Sequence, residues 1–77
     1  MNINEQVASV IAKTLDLEPS ELKDDTSLYA GAGVDSTEMV EVAVALSKQL
    51  GVKLAVGDIS NKNTVKEIAA IIEKKKQ

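Results

Sequence analysis

The sequence contains no cysteine and no histidine. Without cysteine, it can form neither a disulfide nor a thiolate metal site. Without histidine, it lacks both the commonest general base and the commonest zinc ligand. We therefore expect a protein that is not an enzyme and that has no metal centre.

Aromatic residues are almost absent as well, because Tyr29 is the one aromatic side chain among 77 residues. A core built from aliphatic residues and methionine packs adaptably. The chain length corresponds to one domain, residues 1–77. We expect a thin core, since so short a chain buries about 60% of the surface that it exposes when unfolded.

Long hydrophobic runs are missing too. No apolar stretch approaches the roughly 20 residues that a helix needs to span a bilayer. The first residues also lack the basic start and the apolar stretch of a signal peptide. The sequence therefore predicts no membrane span and a cytoplasmic location.

Arginine is absent, and the nine lysines are outnumbered by twelve acidic residues, which gives a net charge of −3. Residues 5–35 carry seven carboxylates and two lysines. A nucleic-acid-binding protein needs a basic face, so we expect no nucleic-acid partner. The acidic front half favours a partner protein with a basic patch, and nothing in the sequence indicates more than a monomer.

The first helical pattern lies near the start of the chain. Apolar residues recur at 3.6-residue spacing between Asn2 and Asp16, and Asn2 with Glu5 resembles a capping box. Pro19 fixes the break after this helix. Periodicity is then lost over residues 17–34, which predicts a long loop, and loops of this length usually have a function. The predicted anchors of this loop are Leu17, Leu22, Leu28 and Tyr29.

Two further helices have clear starts. The second begins with a capping box of Asp35 and Glu38 and ends before Gly51. The last begins with a capping box of Thr64 and Glu67 and ends in a lysine run that we interpret as a solvated helix end. The connection between them predicts one helical turn near Asp58; its apolar residues are Val52, Leu54, Val56 and Ile59. The fold class is thus all-α, a small antiparallel bundle of three to four helices with a long first loop.

The second helix has two apolar faces. Its expected core face consists of Met39, Val42, Ala43, Leu46 and Leu50. Val40 and Val44 lie outside this face, beside Thr37 and Glu41 and on the side of Ser36. Either a broad core or a packed loop covers the two valines, or the four residues form a mixed apolar and acidic docking strip for partner enzymes.

Ser36 occupies the first position of this helix. No histidine can activate it, and Lys48 is three turns away, so catalysis by Ser36 is not expected. The N–H groups and the dipole of a helix start favour a phosphate ester at this place. Ordinary capping chemistry is the alternative.

The segment Gly33-Val34-Asp35-Ser36-Thr37-Glu38-Met39-Val40-Glu41 resembles the attachment signature of the acyl carrier protein family. The match extends to residues 24–28 (DDTSL), 46–51 and 63–65 and to the isoleucine-rich last helix, so it covers essentially the whole chain.

The resemblance implies that Ser36 receives 4′-phosphopantetheine from coenzyme A through a holo-synthase that uses magnesium. It implies that Asp35 helps to position the metal during that transfer, and that Thr37, Val40, Glu41 and Val44 bind partners. Acyl-transfer and acyl-modifying enzymes would then use the protein as a carrier of thioesters in fatty-acid, polyketide or related biosynthesis. An aminoacyl or peptidyl carrier and an unmodified helical docking domain are the alternatives.

Some residues depart from the family's pattern. Thr37 replaces the large aliphatic residue that usually follows the serine, and Ser47, Lys48 and Gln49 stand where typical fatty-acid carriers are acidic. The usual aromatic residue before the turn at Gly51 is also missing. We therefore expect a specialised carrier rather than a housekeeping one.

Overall fold

Four α-helices make up most of the structure, a computed structural model that describes residues 2–55 and 57–76. Val56, one of the apolar residues of the predicted connection, lies outside the described residues. Within them the chain forms no strand, and the predicted all-α fold is confirmed. The helices are α1 (Ile3–Leu15), α2 (Leu28–Ala32), α3 (Ser36–Leu50) and α4 (Val65–Lys76).

α1 begins and ends where the pattern predicts. The Asn2 side chain accepts a hydrogen bond from the Glu5 N–H at 2.8 Å, which caps the helix start. Asp16 adopts the left-handed conformation with φ 57°, and the Leu17 N–H then donates back to the Ala12 carbonyl at 2.7 Å. The helix is therefore ended by Asp16 itself. Pro19, which we expected to fix the break, lies beyond it and opens a 3₁₀ turn.

The predicted long loop contains more structure than expected. It holds the 3₁₀ turn Pro19–Glu21 and the whole of α2, which Ser27 caps by accepting the Ala30 N–H at 3.5 Å. The prediction of a helical turn near Asp58 is wrong, because residues 57–59 form a turn and bends. The fourth helix thus precedes α3. Sequence periodicity missed it because one helical turn with a single buried residue gives no repeat to detect.

The predicted loop anchors are mostly correct. Leu22 and Leu28 are buried, and Leu17 packs against the core from a half-buried position. Tyr29 is wrong, because 64% of it is exposed. Its backbone is held instead, since its N–H donates to the Asn61 carbonyl at 2.7 Å.

Two glycines shape α2 and its exit. A Cβ at Gly31 would collide with the side chain of Thr26, so close packing requires glycine there. Gly33 ends the helix with φ 67°, a left-handed conformation that glycine adopts at little cost. Together they turn the chain into α3.

The core is aliphatic, as the composition predicts. α1 packs against both α3 and α4. On α3, the predicted core face is confirmed, with Met39, Val42 and Leu46 buried and Ala43 and Leu50 partly buried. None of the described polar or charged side chains is buried. The other fully buried large side chains are Val7, Ile11, Leu28, Val34, Val65, Ile68 and Ile72.

α4 begins with the predicted capping box. The Thr64 N–H donates to Glu67 Oε1 at 2.9 Å, and the Glu67 N–H donates to Thr64 Oγ1 at 3.1 Å. At the other end, Lys75 pairs with Asp58 at 3.0 Å. The lysine run is therefore not a purely solvated helix end.

The capping box of α4 makes the stability of the fold change with pH in the acid range. The Thr64 N–H, with help from Asn63, lowers the pKa of Glu67 below its ordinary value of 4.5. A lowered pKa stabilises the fold above the ordinary value, and this stabilisation is lost as pH falls through the pKa of the folded state. We expect the Tm of the wild type to exceed that of Glu67→Gln at pH 7, and we expect this difference in Tm to disappear as the pH falls towards 3. Thermal melts from pH 7 to 3 test this, with Glu73→Gln as the control; a gap that stays constant would contradict it.

Candidate functional site

Ser36 lies exposed at the first residue of α3, and its hydroxyl takes no part in capping. Asp35 is the cap: its Oδ1 accepts the Glu38 N–H at 2.8 Å, and its own N–H donates to Glu38 Oε1 at 3.2 Å. This confirms the predicted capping box. In the described part of the chain, the Ser36 hydroxyl makes no hydrogen bond. Ordinary capping chemistry therefore does not account for a serine at this position.

The turn before Ser36 is stabilised by two hydrogen bonds of the Val34 backbone. Val34 is buried, and its N–H donates to the Leu28 carbonyl at 3.1 Å. Its carbonyl accepts the side-chain amide of Asn61 at 2.7 Å. Sequence reasoning missed Asn61, because a contact across 27 residues leaves no local pattern.

A groove of about 450 Å³ opens beside Ser36. α3 forms one wall, and the described residues of the segment 54–61, which is part of the connection between α3 and α4, form the other. Because Asn61 is bonded to Val34, this segment approaches the Ser36 end of the groove at its last residue. The side chains that line the groove are mostly apolar and include Met39, Val40, Ala43, Val44, Leu54 and Ile59.

Val40 and Val44, which lie outside the core face of α3, are exposed. Of the two alternatives that the sequence left open, the one in which a core or a loop covers them is therefore wrong. Val40 is 52% exposed and Val44 is 49% exposed, and both line the groove. Thr37 and Glu41 are exposed on the same helix. The four predicted strip residues therefore share one accessible surface next to Ser36.

The charges of α3 are distributed unequally along its length. Asp35, Glu38 and Glu41 lie at the Ser36 end, whereas Lys48 lies at the far end of the groove. Lys48 lies twelve positions after Ser36 on the helix, a rise of about 18 Å. Lys48 is therefore too distant to act as a base for Ser36.

Asp58 makes polar contacts with the far part of the second wall. Its Oδ2 accepts the Ala55 N–H at 2.7 Å and lies 3.0 Å from Lys75 Nζ. The backbone hydrogen bond from Ala55 and the contact with Lys75 lower the pKa of Asp58. The carboxylate is thus held in its charged form.

Other kinds of site do not emerge in residues 2–55 and 57–76. No group of three or more acidic side chains there could hold a metal ion. None of the described helices combines the length and the apolar character needed to cross a membrane.

Comparison with known proteins agrees with this geometry. Residues 5–72 match the family model described as the phosphopantetheine attachment site. The chain is 34% identical over 68 residues to the meromycolate extension acyl carrier protein of Mycobacterium tuberculosis, with 88% of this chain and 59% of that protein covered. It is 28% identical over 75 residues to the acyl carrier protein of Bdellovibrio bacteriovorus, with 97% and 96% covered. It is 33% identical over 69 residues to that of Rhodococcus erythropolis, with 90% and 76% covered.

The matched length differs among these relatives. This chain spans 59% of the mycobacterial protein but nearly all of the one from Bdellovibrio. The match includes Ser36 and both walls of the groove. The chain belongs to the acyl carrier protein family, whose defining feature is the phosphopantetheine attachment site.

Proposed function

We propose that this protein is a carrier rather than an enzyme, and that it holds acyl groups as thioesters on a 4′-phosphopantetheine arm attached to Ser36. The observation that carries the proposal is the position of Ser36. Its hydroxyl is exposed and free of capping, at the start of a helix and at the mouth of an apolar groove.

The residues around Ser36 fit such a group. The first N–H groups of α3 have no acceptor within the helix, so they favour the phosphate of an ester on Ser36. The apolar groove beside it can shelter an acyl chain from water. When bound, the arm supplies a thiol, which the chain itself lacks.

Asp35 supports attachment of the arm. Its carboxylate is exposed and adjacent to Ser36, while Oδ1 keeps the helix capped. Carboxylate oxygens are preferred ligands of magnesium. We propose that Asp35 helps to position the metal while a holo-synthase transfers the arm.

Attachment of the arm is tested by intact mass. After incubation with coenzyme A, magnesium and a holo-synthase, we expect the protein to gain about 340 Da, the mass of the arm. Ser36→Ala removes the acceptor oxygen and should abolish the gain. Ser60→Ala, an exposed serine on the opposite wall of the groove, should retain it.

The alternatives give other results in that experiment. No gain in mass with several synthases would favour an unmodified helical docking domain. Loading of the arm by amino-acid-activating enzymes in place of acyl-transfer enzymes would favour an aminoacyl or peptidyl carrier.

We further propose that Thr37, Val40, Glu41 and Val44 form the docking strip for partner enzymes. Ser36, Val40 and Val44 follow one another at intervals of one helical turn, so an enzyme that reaches the arm also meets the two valines. Glu41 adds an acidic group that suits a basic patch on the partner. The partners proposed are the holo-synthase and the acyl-transfer and acyl-modifying enzymes.

Loss of the apolar surface should weaken docking. The double variant Val40→Thr and Val44→Thr keeps the side-chain shape but makes the strip polar, and we expect KM of the holo-synthase to rise roughly tenfold with little change in kcat. Ala70→Ser, on the exposed face of α4, is the control. An unchanged KM in the double variant would refute the strip.

The pathway served is proposed to be a dedicated one. Lys48 places a positive charge at the far end of α3, where typical fatty-acid carriers are acidic. Beside Ser36, Thr37 offers a smaller contact than the large aliphatic residue that is usual in the family. The name of the mycobacterial relatives refers to the extension of meromycolate, which supports extension of acyl chains in a dedicated pathway. The monomeric state and the cytoplasmic location predicted from the sequence stay predictions.

This proposal is tested by comparing this protein and a typical carrier as substrates of the same elongation enzymes. We expect the ordinary elongation enzymes of the host to use the holo-protein less efficiently than a typical carrier, because an enzyme surface that is basic along its length repels Lys48. Lys48→Glu should recover part of the difference in kcat/KM, and Lys53→Glu, beyond the end of α3, should not. Equal use of the wild type and a typical carrier would show that the protein is not specialised.

A further inference from the structure

The second wall of the groove is a connecting segment rather than a helix, and its two ends are held differently. At the Ser36 end, Asn61 is tied to Val34 and Tyr29 by hydrogen bonds of 2.7 Å each. Farther along, Ala55 and Gly57 line the groove from exposed positions. In this far part Asp58 supplies the polar contacts, while Leu54 and Ile59 on either side are held by the core.

One carboxylate oxygen joins the far wall to α4. Asp58 Oδ2 accepts the Ala55 N–H at 2.7 Å and contacts Lys75 Nζ at 3.0 Å. The Asp58 N–H also donates to the Ala55 carbonyl at 3.1 Å, so the turn is closed in both directions. Lys75, near the end of α4, is thus connected through the Asp58 carboxylate to the backbone of Ala55, which lines the groove.

The simpler interpretation is that the ion pair of Lys75 and Asp58 has no function, because exposed ion pairs contribute little to global stability. The Lys75 and Asp58 side chains are 35% and 29% exposed. The effect at issue here is local, however, because the same oxygen also sets the turn of the wall. A small free energy is sufficient to change how often a short segment opens.

We propose that Asp58 and Lys75 form a clasp that positions the far wall of the groove and shelters a carried acyl chain from water. Both are positioning residues, since they act through Ala55 and the wall and not on the thioester. This role rests on the proposed carrier function of Ser36. Without the clasp, water reaches the thioester more often; hydrolysis then breaks its carbon–sulfur bond and gives a carboxylate and the free thiol.

The first experiment uses the unmodified protein, so that it does not depend on the carrier function. Lys75→Gln removes the cation and leaves the turn intact, and we expect hydrogen exchange of the Ala55 amide to accelerate roughly twofold to fivefold. Lys74→Gln and Lys76→Gln are matched controls on the same helix end and should change nothing. Exchange at Ile11, in the core, reports global unfolding and should stay constant. An unchanged Ala55 rate would overturn the clasp.

The second experiment measures hydrolysis of the thioester on octanoyl and acetyl forms of the protein, prepared with a holo-synthase from the corresponding acyl-coenzyme A. We expect Lys75→Gln and Asp58→Asn to accelerate hydrolysis of the octanoyl form by a similar factor and to leave the acetyl form unchanged. A general loss of structure would affect both forms. Faster exchange at Ala55 without faster octanoyl hydrolysis would overturn the sheltering role.

Failure of the clasp and failure of the carrier function can be told apart. A wild-type protein that takes up no arm at Ser36 overturns the carrier function and, with it, the sheltering of cargo. A protein that takes up the arm but whose octanoyl thioester is insensitive to Lys75→Gln overturns the sheltering role and leaves the carrier function intact.

Discussion

The site depends on Asp35 being the cap of α3. A helix start needs a side-chain acceptor for its first N–H groups, and serine commonly supplies one. Here Asp35 and Glu38 satisfy that need between them. Ser36 is consequently placed in the first turn with its hydroxyl exposed and uncommitted, while the remaining N–H groups and the helix dipole still favour a phosphate beside it. A cap one residue later would bind that hydroxyl to the backbone.

The tertiary structure extends this local arrangement into a groove. The apolar surface of α3 is wider than α1 and the other packed elements cover, so Val40 and Val44 remain about half exposed. The connecting segment lies beside these valines rather than over them, because Asn61 ties it to Val34 near the helix start. In the roles proposed above, this one surface would serve two purposes, contact with a partner on its outer side and contact with an acyl chain inside the groove.

The features that the sequence predicted correctly are those set by nearby residues. The caps of α1, α3 and α4 each involve partners three residues apart, and the buried face of α3 follows from its period. The errors have different physical causes. α2 spans five residues with Leu28 as its one buried side chain, too short for a period to emerge, and Asn61 acts on a residue 27 positions away. Exposure of Val40 and Val44 also depended on where a distant segment lies, so the sequence left two alternatives.

The core and the exposed part of the groove wall are stabilised by largely separate contacts. The fully buried side chains are aliphatic and come largely from α1, α3 and α4. Of the described residues in the segment 54–61, Ile59 is part of the core, Leu54 packs against it, and the others are half-buried or exposed. Opening at Ala55 and Gly57 alone therefore exposes little core surface, and its cost is set by a few hydrogen bonds and one ion pair. The clasp that we propose for Asp58 and Lys75 would therefore act on cargo retention while the three long helices stay packed.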